Sequence, residues 1–190
     1  QFFRTDMNTR AVQRLFVESS LRRALKQGEF LLHYQPQIDL ASGAMTGAEA
    51  LIRWQDPQLG IVLPAQFVPI AEESGLIVPI GRWVLREACR QVRSWQDAGM
   101  ATVPISVNIS AAEFRHKDFI SGVAQILAET GLAPRFIELE LTESILMHDA
   151  TSSAQVLAAL KKMGMKLAID DFGTGYSSLA YLKRFPIDTL

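Results

Sequence analysis

Lys166-Leu-Ala-Ile-Asp-Asp-Phe-Gly-Thr-Gly-Tyr-Ser-Ser-Leu179 predicts a short apolar strand that ends in two adjacent carboxylates and passes directly into a loop. The two glycines of the loop permit positive φ angles. Because side chains alternate along a strand, Asp170 points away from the face that carries the leucine and the isoleucine, and Asp171 begins the loop. Aspartate and glycine are also common in ordinary turns, so this pair is informative only together with the rest of the chain.

The composition indicates one soluble globular domain. The 190 residues carry a formal net charge of -1, with 48% hydrophobic and 21% charged residues. This near-zero charge argues against a general nucleic-acid binder, and it requires any anionic ligand to be held by local groups. Cys89 is the only cysteine, which excludes a disulfide within the chain. No apolar run approaches the ~18 residues of a membrane-spanning helix, so we expect a cytoplasmic location.

Helix and strand patterns alternate along the chain. We predict helices over Asn8–Gln27, Ala65–Ser74, Gly81–Ala98, Phe114–Thr130 and Ser152–Met163, and the end of another over Tyr181–Phe185. We predict strands over Phe30–Ile38, Met45–Trp54, Val103–Ser110, Phe136–Glu143 and Lys166–Asp170, and a further strand that begins at Pro186. Such a βαβα succession is typical of parallel strands joined by helical crossovers.

The predicted fold class is α/β, and a (β/α)8 barrel is favoured over an open doubly wound sheet. Asn108, Glu140 and Asp170 recur at an interval near the ~30 residues of one strand-and-helix unit, and Glu49 lies about two units earlier, a rhythm that fits both folds. However, one parity of these strands is polar near the C-terminal end, whereas strands of an open parallel sheet are apolar on both faces. A barrel gathers these ends at one mouth and needs ~250 residues, so the chain is short by about two units.

The polar positions would bring four carboxylates and one amide to that mouth: Glu49, Asn108, Glu140, Asp170 and Asp171. Two anions ~4 Å apart repel by about 4 kcal/mol at an effective dielectric constant of about 20, so protons or cations must neutralise the group. An all-oxygen set suits Mg²⁺ or Mn²⁺ rather than Zn²⁺. Asp170 can bridge two such ions, a recurrent arrangement for phosphodiester cleavage, and Arg53 shares the strand face of Glu49, where it can bind a phosphate.

Six motifs stand along residues 30–190: Tyr34-Gln-Pro-Gln37, Glu49-Ala-Leu-Ile-Arg-Trp54, Ala71-Glu-Glu-Ser-Gly-Leu-Ile77, Val107-Asn-Ile-Ser110, Glu138-Leu-Glu-Leu-Thr-Glu143 and Ile169-Asp-Asp-Phe-Gly-Thr-Gly-Tyr-Ser-Ser178. Their series resembles that of the EAL family, phosphodiesterases of the bacterial messenger cyclic di-GMP. The resemblance implies a TIM-like (β/α)8 barrel whose first strand is antiparallel to the others, present here through about the sixth strand. It implies an entry helix or linker over 1–27 and an EAL domain, incomplete at its C-terminus, over 28–190.

The resemblance also implies roles for the site residues. One of two Mg²⁺ or Mn²⁺ ions would be bound by Glu49, Asn108, Glu140 and Asp170. Asp171 would share the second ion with Asp170, so that Glu49, Asp170 and Asp171 act in catalysis through the metals. Substrate binding would fall to Gln35, Leu51 and Arg53. The implied reaction is hydrolysis of cyclic di-GMP to linear pGpG by two-metal activation of water.

Further expectations concern partners and completeness. By the resemblance, Glu143 would anchor the loop after Asp171, a segment that couples metal binding to dimer contacts, so we expect a homodimer through this loop; the alternative for Glu143 is a surface acid near a helix start. Phe2–Ala11 resembles the closing segment of a GGDEF domain, which implies an upstream GGDEF or sensor domain able to tether a parent protein to a membrane. The later lysine, glutamate and glutamine of the family do not occur before Leu190, so we expect a truncated, catalytically incomplete chain.

Three functions other than a phosphodiesterase are alternative interpretations of the sequence. A receptor that binds cyclic di-GMP without cutting it stays open, although such receptors typically lose metal ligands, and none within range is lost here. A purely structural interaction module leaves the repeated polar parity of the strands unexplained. A kinase-like interpretation of Asp171-Phe-Gly173 fails, because the sequence has no Gly-x-Gly-x-x-Gly loop and no His-Arg-Asp segment.

Overall fold

The computed structural model describes residues 5–171 and 185–190, with side chains from Arg14 onward. The helices are α1 Thr5–Gln27, α2 Pro64–Glu73, α3 Ile77–Asp97, α4 Ala111–Phe114, α5 Phe119–Thr130, α6 Glu143–Met147 and α7 Ala150–Lys162. A 3₁₀ turn spans Pro134–Phe136. The strands are β1 Phe30–Ile38, β2 Met45–Asp56, β3 Gly60–Val62, β4 Ile105–Asn108, β5 Ile137–Thr142 and β6 Lys166–Asp170. None of these helices is both long and apolar enough to span a membrane.

One sheet connects all the described strands in the order β1-β2-β4-β5-β6, with β3 beside β2. β1 is antiparallel to β2, whereas β2, β4, β5 and β6 are parallel to one another. Thr189 forms a parallel bridge with Ala168 on the far side of β6, so the chain starts a further parallel strand there. The predicted α/β class and the predicted antiparallel first strand are therefore confirmed, in a sheet that forms part of a barrel.

The helices cover one face of the sheet, and that face holds the core. The covered positions of the strands are less than 5% exposed: Ala48, Ala50, Trp54, Ile105, Val107, Ile137, Leu139, Leu141, Leu167 and Ile169. They form one cluster with the buried side chains of α2, α3, α5 and α7. Full burial of each large aliphatic side chain contributes about 1.5 to 3 kcal/mol. This apolar face determines which alternate residues of every strand point toward the helices.

An ionic cluster attaches α1 to the end of β2. The guanidinium of Arg23 donates to Glu29 Oε1 at 2.9 Å and to Asp56 Oδ2 at 2.9 Å, and the indole N–H of Trp54 donates to Glu29 Oε2 at 3.1 Å. The hydrogen bond from Arg23 holds the pKa of Glu29 below its ordinary value. Asp56 is buried and also accepts two backbone N–H groups of the turn that follows β2. The C-terminal half of α1 is thus fixed to the strand that carries Glu49.

Several predicted boundaries differ from the structure. The loop predicted between β2 and α2 contains the short strand β3, which Gly60, at φ +72°, allows to turn back onto β2. A three-residue strand is too short to give a periodic signal. The helix predicted over Phe114–Thr130 is interrupted between α4 and α5, and α3 begins four residues before the predicted Gly81. Of the helix end predicted over Tyr181–Phe185, only Phe185 lies within the described residues.

A buried carboxylate begins α4. Ser110 caps this helix, and Glu113 accepts from the Ser110 backbone N–H at 3.0 Å and from its hydroxyl at 2.5 Å. Glu113 is 6% exposed and lies against Gly81 of α3, where a Cβ would collide with the carboxylate. Burial raises the pKa of Glu113 to about 7, against the hydrogen bonds from Ser110 that lower it. The capping box therefore starts a short helix at Ala111, ahead of the predicted helix start at Phe114.

Glu113→Gln should remove a pH dependence of stability. The folded state raises the pKa of Glu113 from 4.5 to about 7, so its stabilisation is complete below pH 4.5 and is lost as the pH rises through about 7. Between about pH 5 and about pH 8 the loss amounts to roughly 2 to 3 kcal/mol. Urea unfolding at both pH values should show the Gln variant gaining this amount relative to the unsubstituted chain. The exposed pair Arg86–Glu129 supplies the control Glu129→Gln, which should show no such gain.

Candidate functional site

The strand register places the predicted site residues on one face of the sheet. Glu49 is paired with Ser106, and Asn108 is paired with Glu140. Asp170 shares the parity of the β6 residue that faces Glu140. Residues paired across a ladder point to the same side, as do residues two apart along a strand. The side chains of Glu49, Asn108, Glu140 and Asp170 therefore all lie on the face opposite the helices.

These side chains also lie toward the C-terminal ends of the parallel strands. Asn108 and Asp170 are the last residues of β4 and β6 and are exposed, whereas Glu49 and Glu140 are half-buried. Asn108 Nδ2 donates to Glu49 Oε1 at 2.6 Å, which joins residues that lie 59 positions apart in the sequence. The structure thus brings together the four positions that sequence spacing predicted, at the end of the sheet where barrel enzymes bind their substrates.

Repulsion between the carboxylates contributes to a raised pKa of Glu140. Burial raises the pKa of this group, a hydrogen bond from Ser106 lowers it, and the charges of Glu49, Asp170 and Glu138 raise it further. The net shift is upward. Each of these carboxylates therefore lies close enough to Glu140 to disfavour its ionised form, which is the electrostatic condition under which a bound cation stabilises a cluster.

The donor types fit a hard divalent cation. Carboxylate and amide oxygens are the ligands that Mg²⁺ and Mn²⁺ prefer, and the face contains three half-buried or exposed carboxylates beside an amide. In the arrangement observed, no three His, Cys, Asp or Glu side chains of the described residues already form a cage around a common point. Coordination by this set therefore stays a prediction, supported by the residue types, their shared face and their mutual repulsion.

Asp171, the residue that follows β6, has an unusual backbone conformation. Asp171 has φ 56°, in the left-handed region that non-glycine residues adopt rarely, and its backbone N–H donates to Asp170 Oδ1 at 2.8 Å. Glu143 begins α6 immediately after β5. The loop glycines, the predicted anchoring of that loop by Glu143 and the predicted dimer contacts fall on residues 172–184, outside the described residues. Those predictions remain untested.

The three predicted substrate-binding residues lie on the β1–β2 hairpin, on the same face as Glu49. Gln35 is directly opposite Glu49 across the antiparallel ladder, and Leu51 and Arg53 follow Glu49 at the same parity. Gln35 is exposed, and the other two are half-buried. Arg53 Nη1 donates to the backbone carbonyl of Ile52 at 2.8 Å, which leaves further guanidinium N–H groups for a ligand.

The proposed ligands form an upper polar layer at the C-terminal ends of the strands, and Ser106 and Glu138 form a lower layer on the same face, farther from those ends. Ser106 is 1% exposed and Glu138 is 8% exposed. The sequence did not assign this lower layer to the site. The alternation of polar residues along β4 and β5 was the available signal, because both layers share one parity. It did not reveal that the lower pair is hydrogen-bonded, since that contact joins two strands.

Asn108→Asp should destabilise the chain in the absence of divalent cations. The change replaces an amide that donates to Glu49 with a further carboxylate in contact with it. We expect the free energy of unfolding at neutral pH to fall by about 1 to 4 kcal/mol, the range for two charges ~4 Å apart between water and a protein surface. Urea unfolding with a chelator present measures this loss. Asn108→Ser is the matched control; equal losses in both variants would contradict the repulsion between these positions.

Comparison with known proteins gives one consistent family. A family model described as EAL domain matches residues 18–190. The bifunctional diguanylate cyclase/cyclic di-GMP phosphodiesterase MucR of Pseudomonas aeruginosa is 49% identical over 189 residues, which is 100% of this chain and 28% of MucR. The cyclic di-GMP phosphodiesterase NbdA of the same organism is 43% identical over 190 residues, 100% of this chain and 24% of NbdA. The chain thus spans about a quarter of the length of these relatives.

Solved structures show the same similarity. The phosphodiesterase domain of PaMucR in complex with c-di-GMP superposes with a TM-score of 0.87 at 49% identity, covering 90% of this chain and 70% of that one. The EAL domain of Xanthomonas citri FimX in complex with c-di-GMP superposes with a TM-score of 0.84 at 30% identity, covering 95% and 70%. Each match covers at least nine-tenths of this chain, which itself spans about 70% of each solved chain.

Proposed function

The chain belongs to the EAL-domain family, and on that premise we propose that its site hydrolyses one phosphodiester bond of cyclic di-GMP to give linear pGpG. Relatives named as cyclic di-GMP phosphodiesterases support this reaction. The structural observation that carries the proposal is the convergence of Glu49, Asn108, Glu140 and Asp170 on one face, at the C-terminal ends of parallel strands. A module that only bound a partner would have no need for this repulsive set of oxygen donors.

We propose that these four residues hold one Mg²⁺ or Mn²⁺ ion and that Asp171 shares a second ion with Asp170. When bound, such ions lower the pKa of a water and offset charge on the leaving oxygen. The protein's own contribution is to hold the acceptor oxygens in place before the cation arrives. Glu49 is held by the amide of Asn108, and Asp170 is held by the backbone N–H of Asp171. Each fixed oxygen reduces the reorganisation that binding requires.

Substrate contacts are proposed for the β1–β2 hairpin. Arg53 can donate two parallel hydrogen bonds to a phosphate, Gln35 offers an amide opposite Glu49, and Leu51 lies between the two polar positions as an apolar contact. Arg53, the proposed hydrogen-bond donor to the phosphate, therefore lies on the same strand and the same face as Glu49, a proposed metal ligand. The dinucleotide would then lie across β1 and β2, with its phosphate near Glu49.

The wider organisation is also proposed. Residues 1–27 would form the linker that leads into an EAL domain over 28–190, downstream of a GGDEF or sensor domain, in a cytoplasmic part of the parent protein. MucR, whose name joins a diguanylate cyclase to a phosphodiesterase, supports this arrangement. A homodimer would form through the loop after Asp171, anchored by Glu143.

A receptor that binds cyclic di-GMP without cleavage is the second candidate. The complexes of the FimX EAL domain and of the PaMucR phosphodiesterase with c-di-GMP show that such a domain can hold the dinucleotide. The presence of every proposed metal ligand within the chain favours catalysis instead. Calorimetric titration of cyclic di-GMP with and without Mg²⁺, beside an assay for pGpG, separates the two: tight binding without metal and without product would indicate the receptor.

Hydrolysis should depend on Glu49. A version of the chain extended to the length of the matched structures is expected to convert cyclic di-GMP to pGpG with Mg²⁺ or Mn²⁺, as measured by chromatography of the nucleotides. Glu49→Gln should lower turnover by at least about 100-fold, because a direct ligand costs more than the 10- to 100-fold typical of an outer partner. Asp97→Asn, at an exposed position of α3, should have no effect. Absence of product from the extended chain would defeat the enzyme proposal.

Arg53→Ala should weaken substrate binding without weakening metal binding. Loss of a hydrogen bond to a charged group costs about 1.5 to 3 kcal/mol, so the Kd for cyclic di-GMP should rise by roughly 10- to 100-fold. Calorimetry in the extended chain, with Ca²⁺ to prevent turnover, measures this Kd, and a separate Mn²⁺ titration checks the metal. Arg86→Ala removes an exposed arginine of α3 and should leave both unchanged. An unaltered Kd in Arg53→Ala would remove this residue from the binding site.

A further inference from the structure

Glu138 lies directly beneath the proposed metal site, on the same strand and the same face as Glu140. Its backbone is paired with Ser106 on one side and with Lys166 on the other, one layer below the pairing of Asn108 with Glu140. Glu138 is only 8% exposed. A carboxylate thus occupies a position in the interior of the partial barrel that the proposed ligands do not use.

Both carboxylate oxygens of Glu138 accept a hydrogen bond from a hydroxyl. Ser106 Oγ donates to Oε2 at 3.3 Å from β4, and Thr189 Oγ1 donates to Oε1 at 2.7 Å from the strand beyond β6. These partners come from opposite sides and lie 32 and 51 residues away in the sequence. Two fixed donors leave the carboxylate one orientation, so Glu138 forms a rigid link across β4, β5 and the Thr189 segment.

The connecting hydroxyl of Ser106 holds Glu138 one layer below the proposed ligands. Ser106 and Glu138 are paired across β4 and β5 directly below Asn108 and Glu140, on the same face, and both are buried. Residues two apart on one face of a strand are separated by about 7 Å. The charge of Glu138 therefore acts on a cation held at Glu140 over a short distance and with little intervening water.

An apolar side chain is the ordinary occupant of such an interior position. Burying a charged group costs free energy that hydrogen bonds recover only in part, and an apolar side chain of the same size would fill the space without that cost. Interiors of barrels are commonly filled by branched apolar residues. Lys166, the positive residue paired with Glu138, is exposed, whereas a cation held at Glu140 would lie on the interior face above Glu138 and would offset the cost of burying its charge.

We propose that Glu138, held by Ser106 and Thr189, is a positioning residue whose fixed charge below Glu140 strengthens cation binding at the site above. This inference rests on the proposed metal site and adds a residue to it. Glu138 touches neither the substrate nor the reacting atoms, and it acts through its charge, which Ser106 and Thr189 hold in place. Outer partners of this kind typically change metal affinity by about 10- to 100-fold.

Mn²⁺ titration of the chain, followed by the paramagnetic resonance signal of free Mn²⁺, tests the proposal without any assay of turnover. Glu138→Gln keeps the size and the hydrogen-bonding capacity of the side chain, because hydroxyl oxygens can accept from the new amide, and removes only the charge. We expect its Mn²⁺ affinity to fall about 10-fold or more at an unchanged melting temperature. Ser106→Ala removes the connecting hydroxyl and should lower the affinity and alter the spectrum of bound Mn²⁺.

Glu113→Gln is the matched control, since it makes the same substitution at a buried carboxylate that a serine also hydrogen-bonds, on the helical side of the sheet. Its Mn²⁺ affinity should equal that of the unsubstituted chain.

Glu49→Gln, which removes a proposed ligand, should abolish binding. If Glu49→Gln abolishes binding while Glu138→Gln and Ser106→Ala retain full affinity, this inference fails and the metal site stands. If Glu138→Gln does not fold, Ser106→Ala alone decides. If the unsubstituted chain binds no Mn²⁺, the metal site and this inference both fail.

Discussion

The register of the parallel strands determines which side chains can meet, and the candidate site depends on it. On β5, Leu139 and Leu141 are fully buried beneath the helices, and Glu140 points to the opposite face. A slip of one residue would exchange these faces, moving the leucines into the interior and Glu140 under the helices. Each lost leucine burial would cost about 1.5 to 3 kcal/mol, and an unpaired buried carboxylate would cost more. The apolar face therefore selects the register, and the register gathers the polar residues as a consequence.

The interior face becomes more exposed from the lower layer to the upper one. Ser106 and Glu138 are nearly inaccessible, Glu140 is half-buried, and Asn108 and Asp170 are exposed. Two hydroxyls of the protein satisfy Glu138 in the lower layer, whereas in the upper layer the charges of Glu49 and Asp170 raise the pKa of Glu140. Under the proposed function, bound cations would stabilise the carboxylates of the upper layer, as the hydroxyls of Ser106 and Thr189 stabilise Glu138 in the lower layer. This gradient explains why the donor set is built before a metal arrives but remains open toward a ligand.

Sequence periodicity predicted most of the sheet and the shared face of the four proposed metal ligands, because both follow from one local rule. Polar residues at one parity near successive strand ends identify Asn108, Glu140 and Asp170, and a barrel gathers such ends. The antiparallel first strand followed only from family resemblance, since alternation in β1 and β2 carries no information about strand direction. The sequence did not predict β3 or the separate short helix α4, because a three-residue strand and a four-residue helix that begins at a capping box give no periodic signal. The partners of Glu138 were inaccessible for another reason: hydrogen bonds across 32 and 51 residues depend on a register that the sequence does not state.

The ionic cluster at the end of β2 attaches α1 to the β1–β2 hairpin. Arg23 joins Glu29, just before β1, to Asp56, the last residue of β2, and so closes the open end of the β1–β2 hairpin with a group from α1. Arg53 lies three residues before Asp56 on a continuous strand, and Glu49 lies four residues before Arg53. The ladder with β1 holds Arg53 opposite Leu31 and Glu49 opposite Gln35. The Arg23 cluster therefore fixes, from the side of α1, the end of the hairpin that carries the proposed phosphate-binding arginine and one of the proposed metal ligands.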